Sequence, residues 1–258
     1  MPEQPPLITE NELTRWIIEE DANFIVFNKP GHIVCHPSKN GPWSSLIGAT
    51  KEWKKQEKLH LVSRLDRETS GILIIAKNPL AARHSQTALE HRQVQKTYLA
   101  LVHGTMTEPV LVDEPIERDP SSPIAIKHRV GRSTEARTAV TFFTPIHAQN
   151  NHTLVQAAPH TGRTHQIRIH AQWLNHPIVG DKLYGPDDTL YLDFIQHGWT
   201  PRHATHLPLP RHALHAARIE FKSPHLQRTF TAPLPEDLRN FCQKQLAATT
   251  GILPEHFR

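Results

Sequence analysis

The chain has 258 residues, 38% of them hydrophobic and 21% charged, which excludes a disordered protein and allows one large domain or two small ones around a substantial core. Twenty-nine Lys and Arg against 25 Asp and Glu give a net charge of +4, with 20 histidines besides, a balance compatible with a polyanionic partner but not demanding one. Cys35 and Cys242 form no CxxC pair, no apolar stretch reaches the roughly 18 residues of a membrane span, and the N-terminus lacks a signal core, so a reducing, cytoplasmic setting is expected.

In chain order, Pro2, Pro5 and Pro6 make residues 1–10 a loosely docked tail, the first part of a tail and short leader over 1–21. Phe24–Phe27 reads as a strand, Asn28-Lys29-Pro30-Gly31 as a turn, and Ile33–Cys35 as a second strand stopping before Pro37. Lys29 is read as a structural turn residue in preference to a phosphate contact. Ser44 or Ser45 can cap a helix to about Lys58, with Lys51, Lys54, Lys55 and Lys58 on a solvated face.

The stretch Ser63–Ala76 is the most informative. Its polar knot, Ser63-Arg64-Leu65-Asp66-Arg67-Glu68-Thr69-Ser70-Gly71, abuts the apolar run Ile72–Ala76, a buried strand. The charges of Arg64 and Arg67 favour the anionic form of Asp66, and Thr69 and Ser70 can bond local backbone. A tight loop of this kind could hold an anionic nucleophile or base at the mouth of a sheet; the plain alternative is a surface ion pair.

Asn78-Pro79 opens a helix to about Arg92 that should bury Leu80, Ala81, Ala88 and Leu89. Lys96–Gly104 is a strand in which Tyr98, taken alone, reads as core. Residues 105–135 are loop and short strands, with Lys127, His128, Arg129, Arg132 and Arg137 as an RNA-facing loop or a solvated edge. Strands 136–143 and 152–158 flank a turn at Asn150-Asn151. Thr164 can cap a helix bearing Ile167, Ala171 and Leu174 on one side, which sets Arg168 near its entry. Residues 186–211 form a loop-rich excursion with Tyr191, Phe194 and Trp199. Then come a strand at Ala217–Phe221, the segment Thr229–Pro235 and a helix over 236–247.

The pattern R-L-D-x-x-T-S-G before an aliphatic strand resembles the catalytic signature of the RluA-type RNA pseudouridine synthases, with Ser63 where that family usually has His. Three further pieces resemble the same family in the same order: FIVFNKPGHIVCHP, then G-R-T-H-Q-I-R-x-H with N-H-P-I-x-G-D-x-L-Y-G, then A-L-H-A at Ala213–Ala216. The resemblance implies an α+β catalytic domain over 22–258, built on a mixed, largely antiparallel central sheet with flanking helices and an active-site cleft. No S4-like RNA-binding domain is expected before Phe24.

By the same resemblance Asp66 starts glycosidic cleavage, Arg168 pairs with it, and Tyr98 stacks on the uracil and takes its C5 proton. Leu214 packs the base, Arg64 fills the gap left by a flipped nucleotide or holds its phosphate, and Arg163, His165 and Gln166 contact substrate. The implied partner is a stem-loop of ribosomal or transfer RNA, with no DNA, no membrane, no cofactor and no metal, and the protein is expected to act as a monomer. Two other readings stand beside it. One is a non-catalytic RNA-binding protein on a synthase scaffold. The other is a metalloprotein using His203, His206, His212 and His215, disfavoured because Pro208 and Pro210 interrupt any helix carrying them and no Cys or Glu completes a familiar ligand set.

Overall fold

The computed structural model of the chain describes residues 7–36 and 40–247. Thr9 caps helix α1 (Glu10–Trp16) in a capping box with Glu12, and the chain passes directly into β1 (Ile17–Glu20), antiparallel to β2 (Phe24–Lys29). Ile8 and Leu13 are buried. The expected tail and leader over 1–21 is therefore corrected from residue 8 onward, because these two apolar side chains dock the segment on the core; residues 1–6 lie outside the described residues.

The strand expected at Ile33–Cys35 does not form. The carbonyls of Val34 and Cys35 instead accept from the Leu46 and Ile47 N–H groups at the start of α2 (Leu46–Lys54), donors that a helix cannot satisfy internally. Ser45 is the side-chain cap of α2, and the helix stops at left-handed Lys55, short of the expected Lys58.

There follow β3 (His60–Leu61), β4 (Ser70–Ala76), α3 (Pro79–Glu90) with Asn78 as its cap, and β5 (Val94–His103). Leu80, expected in the core, sits in the first turn of α3 and faces solvent, whereas Ala81 and Ala88 are buried. Next come β6 (Val110–Asp113), the hairpin β7 (Ile116–Arg118) and β8 (His128–Val130), and the long pair β9 (Val140–Gln149) and β10 (His152–Pro159). Helix α4 (Gln166–Trp173) starts from His165 in a left-handed conformation, φ 55°, so Thr164 is not its cap. The excursion 186–211 is not loop alone but holds α5 (Thr189–His197) and α6 (Pro201–His206). The chain closes with β11 (Leu214–Ser223), β12 (Leu226–Thr231) and α7 (Glu236–Leu246).

Ten strands make one sheet in the order β1-β2-β4-β11-β5-β10-β9-β6, with β3 on β4 and β12 on β11. Every pairing is antiparallel except β4 with β11. From Ile72 to Ala76 strand β4 is apolar without interruption because both of its faces are covered. Ile72 and Ile74 pack with Ala81 and Ala88 of α3, while Leu73 and Ile75 pack with Leu13, Leu46 and Ile47. A second core joins Leu99, Leu101 and Val155 to Ile167 of α4 and to Leu238 and Phe241 of α7.

One junction in this sheet places the functional residues. The start of β11 lies between β4 and β5, pairing His215 with Ser70 and Ala216 with both Gly71 and Tyr98. Gly71 has φ +109°, and a Cβ there would collide with the Ala216 backbone, so glycine is required where the parallel strands approach.

Candidate active site: a carboxylate–guanidinium cleft

Asp66 lies in the loop between β3 and β4, and distant groups hold that loop from beneath. Lys29, fully buried, donates to the carbonyls of Pro30, Ile33 and Arg67 at 2.8, 3.0 and 3.2 Å. Burial pushes its ammonium down to about 8, partly offset by Cys35, Asp66 and Glu68. Arg211 donates to the Glu68 carbonyl at 3.1 Å and forks onto Asp237 of α7. The Glu68 carboxylate takes Lys182 at 2.8 Å and the His212 backbone N–H at 3.1 Å.

Thr69 and Ser70 do not close a local turn with their side chains, as the sequence suggested. Thr69 Oγ1 bonds His212 Nε2 at 2.7 Å, and Ser70 Oγ bonds His215 Nδ1 at 3.0 Å. Two members of the histidine-rich segment thus serve as buried struts under the Asp66 loop. No group of three or more His, Cys, Asp or Glu side chains able to hold a metal occurs among the described residues.

The partner of Asp66 is Arg168, whose Nη1 lies 3.1 Å from Asp66 Oδ2. Arg64 and Arg67, which flank Asp66 in sequence, are exposed and pair with no carboxylate among the described residues; Arg67 donates instead to the His32 carbonyl. Arg168 is itself fixed by a fork onto Asp181, Nε to Oδ2 at 2.6 Å and Nη2 to Oδ1 at 2.8 Å, and by the Tyr184 ring 4.9 Å from its guanidinium carbon. Asp181 also accepts from the Leu183 and Tyr184 N–H groups. Burial opposes a charge on Asp181, but Arg168 overrides it and holds the carboxyl well below the usual range. Burial likewise opposes the charge on Arg168, and Asp181 and Asp66 reverse the effect. The guanidinium is a fixed cation with one edge spent on Asp181 and the other turned to Asp66.

Asp66 and Arg168 form the floor of a cleft of about 310 Å³ lined also by Ser63, Arg64, Lys96, Tyr98, Arg163, His165 and Leu214. Tyr98 and Leu214 come from neighbouring strands and both line it, an aromatic and an aliphatic surface suited to a flat base. Burial and the Asp66 charge push the Tyr98 phenol upward, so it is neutral. His165 Nε2 is 3.9 Å from Asp66 Oδ2, and its Nδ1 bonds the Tyr184 hydroxyl at 2.9 Å. Burial, with Arg168 nearby, pushes this imidazole down to about 4.

The remaining residues singled out in the sequence divide clearly. Arg163 is exposed at the rim and donates to the Thr138 carbonyl at 3.0 Å. Gln166 lines the cleft, but its amide is spent on Thr161, Val140, Thr141 and the Arg163 N–H, holding the loop before α4. Two residues escaped the sequence reading. Asp181 stands in the quoted G-D-x-L-Y-G piece, but only the fold reveals its fork with Arg168. Lys96 precedes Tyr98 by two positions and so shares its strand face. On the far side of Asp66, His165 and Arg168 lies a second recess of about 170 Å³, walled by Tyr191, Phe194 and Ile195 of α5.

The fold and site define a mixed α+β domain with a carboxylate held by a buried guanidinium at the floor of an open cleft. Residues 23–173 match the family described as RNA pseudouridylate synthase. The chain is 36% identical over 235 residues to ribosomal large subunit pseudouridine synthase C of Vibrio vulnificus, covering 90% of this chain and 70% of that protein. It is 34% identical to an uncharacterized RNA pseudouridine synthase of Mycoplasma pneumoniae, covering 82% of this chain and 63% of the relative. With ribosomal large subunit pseudouridine synthase D of Haemophilus ducreyi the identity is also 34%, over 66% of this chain and 52% of the relative. Among solved structures, human RNA pseudouridylate synthase domain containing 4 superposes with a TM-score of 0.69 at 27% identity, covering 90% of this chain and 94% of that one. The chain belongs to the RNA pseudouridylate synthase family. It spans about half to two thirds of the length of the Haemophilus and Mycoplasma relatives.

Proposed function

We propose that this chain is an RNA pseudouridine synthase that isomerises a specific uridine in structured RNA. The observation that carries the reading is the Asp66–Arg168 pair, backed by buried Asp181, at the floor of a cleft lined by Tyr98 and Leu214. The reaction breaks the uridine C1′–N1 bond, turns the detached uracil and joins it through C5, so nothing is gained or lost and no cofactor is called for.

Asp66 initiates cleavage, by attack at the ribose or by removing a sugar proton. Arg168 supports its charge without moving, since Asp181 already fixes the guanidinium. Tyr98 stacks on the uracil, and its neutral phenol lies beside Asp66 as the base rotates. Leu214 packs the base, and Arg64, exposed at the mouth, enters the space the uridine vacates. Ribosomal RNA is the favoured substrate, since two of the similar proteins are named for the large ribosomal subunit.

The test is to map pseudouridines in total RNA from cells with and without the protein, then to incubate the purified protein with the RNA so identified. One or a few sites should depend on it in both settings. Unchanged maps together with no conversion by the purified protein would reject the proposal.

A further inference from the structure

Lys96 is a half-buried cation of the cleft whose charge the protein does not balance. It sits on β5 and lines the cleft beside Tyr98, Ser63, Arg64 and Leu214. Among the described residues its ammonium meets no carboxylate and makes no hydrogen bond. Burial lowers its pKa, and no neighbouring charge offsets the effect. The fully buried lysines are provided for: Lys29 has three carbonyls, and Lys182 has Glu68 and the Pro210 carbonyl. Withdrawing an ammonium from water without a partner is costly. Such a residue is best placed where an anion arrives with the ligand.

We infer that Lys96 is a phosphate site of the cleft, which takes the phosphodiester next to the everted uridine. This rests on the reading of the cleft as the place where RNA is held. The ligand is the phosphate and not the base, because uracil is neutral and the phosphodiester is the anion that an RNA strand brings to every position. A lysine suits this task, since a point charge on a flexible stem needs no fixed orientation of the phosphate. The site is distinct from Arg64, which is exposed where Lys96 is mostly withdrawn from water. Lys96 and Tyr98 share one strand face, so Lys96 can hold the backbone beside the base that Tyr98 stacks.

The experiment compares the full chain with Lys96→Met and Lys96→Arg, binding a single-stranded RNA heptamer with a central uridine over a range of salt concentrations. In the wild type one more phosphate is neutralised, so the slope of log affinity against log salt should exceed that of Lys96→Met by about 0.7. Between 50 and 200 mM salt the wild type should lose about 2.6-fold more affinity than the Met variant, and Lys96→Arg should recover most of the slope. A neutral methylphosphonate moved along the heptamer should weaken the wild type at one position and leave Lys96→Met unaffected there. Lys96→Met should also resist urea at least as well as the wild type, because an unbalanced cation has been removed. An unchanged slope overturns the inference, as does a loss of stability with the slope intact, which would mark Lys96 as a structural cation. Pseudouridine formation is measured separately. A wild type that shows the slope difference but never turns over rejects the activity and leaves the phosphate site standing, whereas turnover with identical slopes rejects the site alone.

Discussion

The β7–β8 hairpin and the mouth of the cleft are both rich in basic residues, and they treat them in opposite ways. In and beside the hairpin Arg129 pairs with Glu117, Arg132 with Glu114 and Lys127 with Asp188, at 3.0, 3.0 and 2.6 Å. At the mouth Arg64, Arg163 and Lys96 meet no acid among the described residues. Beneath the mouth the pattern turns again, and Arg168 and Lys182 are tied to Asp181 and Glu68. The proposed RNA surface is therefore the one where the fold withholds the counter-charges. Where acids are supplied the same residue types position other groups.

The strongest way to break this comparison is at the floor. Asp66→Asn leaves Arg168 forked onto Asp181, so folding and RNA binding should persist while pseudouridine formation falls by several orders of magnitude. A loss of only about twofold would remove Asp66 from the chemistry.

Asp181→Asn attacks the inner pairing itself. It leaves a buried guanidinium without its fork, which typically costs about 3–5 kcal/mol. The urea midpoint should drop sharply and turnover should fall with it, since Arg168 is then free to leave Asp66. Wild-type stability in this variant would show that Asp66 alone suffices to hold Arg168.

The histidines with lowered pKa make a third prediction, read from pH. His165 and His215 are both pushed down to about 4 by burial first, and His212 is pushed well below its ordinary value for the same reason. The native state keeps these imidazoles neutral where the unfolded chain begins to protonate them, near pH 6.5. Below that the unfolded state binds more protons, so stability declines as pH falls toward 4, by up to about 1.4 kcal/mol per pH unit for each such site. Asp181, whose pKa is depressed, extends the loss to lower pH, because its stabilisation disappears once it too is protonated. Urea midpoints measured from pH 7 to 4 check this, and a flat profile would contradict the buried neutral histidines.

The smallest effects separate the two basic regions directly. Arg64→Ala should flatten the salt dependence of binding to a single-stranded RNA by about 0.7. Arg129→Ala with Arg132→Ala should leave that slope within error, because those charges are already answered by Glu117 and Glu114. Equal slopes for the two variants would dissolve the distinction.

Local chemistry made much of the molecule legible. The uninterrupted run Ile72–Ala76, the caps Ser45 and Asn78 and the turn at Asn150-Asn151 all stand where residue type alone put them. Asp66, Tyr98, Arg168 and Leu214, named through the family resemblance, do meet in one cleft. Their roles there remain part of the proposed function. Two of the failures turned on partners elsewhere in the chain. Ile33–Cys35 has the composition of a strand, but its carbonyls are taken by the entrance of α2. Thr69 and Ser70 have the chemistry of a local turn, but their hydroxyls reach imidazoles more than 140 residues on.

Arg64 and Arg67 sit beside Asp66 in sequence, yet the ion pair goes to Arg168, 102 residues away. By itself the sequence determined which segments could form elements, through capping, periodicity and apolar runs, and which residue types were present for chemistry. Tertiary structure decided which charge meets which. A strand–loop–strand path turns neighbouring side chains to different faces, while burial raises the cost of any charge left unmatched. Asp181 became the support of Arg168 and Lys96 was left without a partner through the packing of β5, α4 and the segment after it, and no spacing along the chain encodes that outcome.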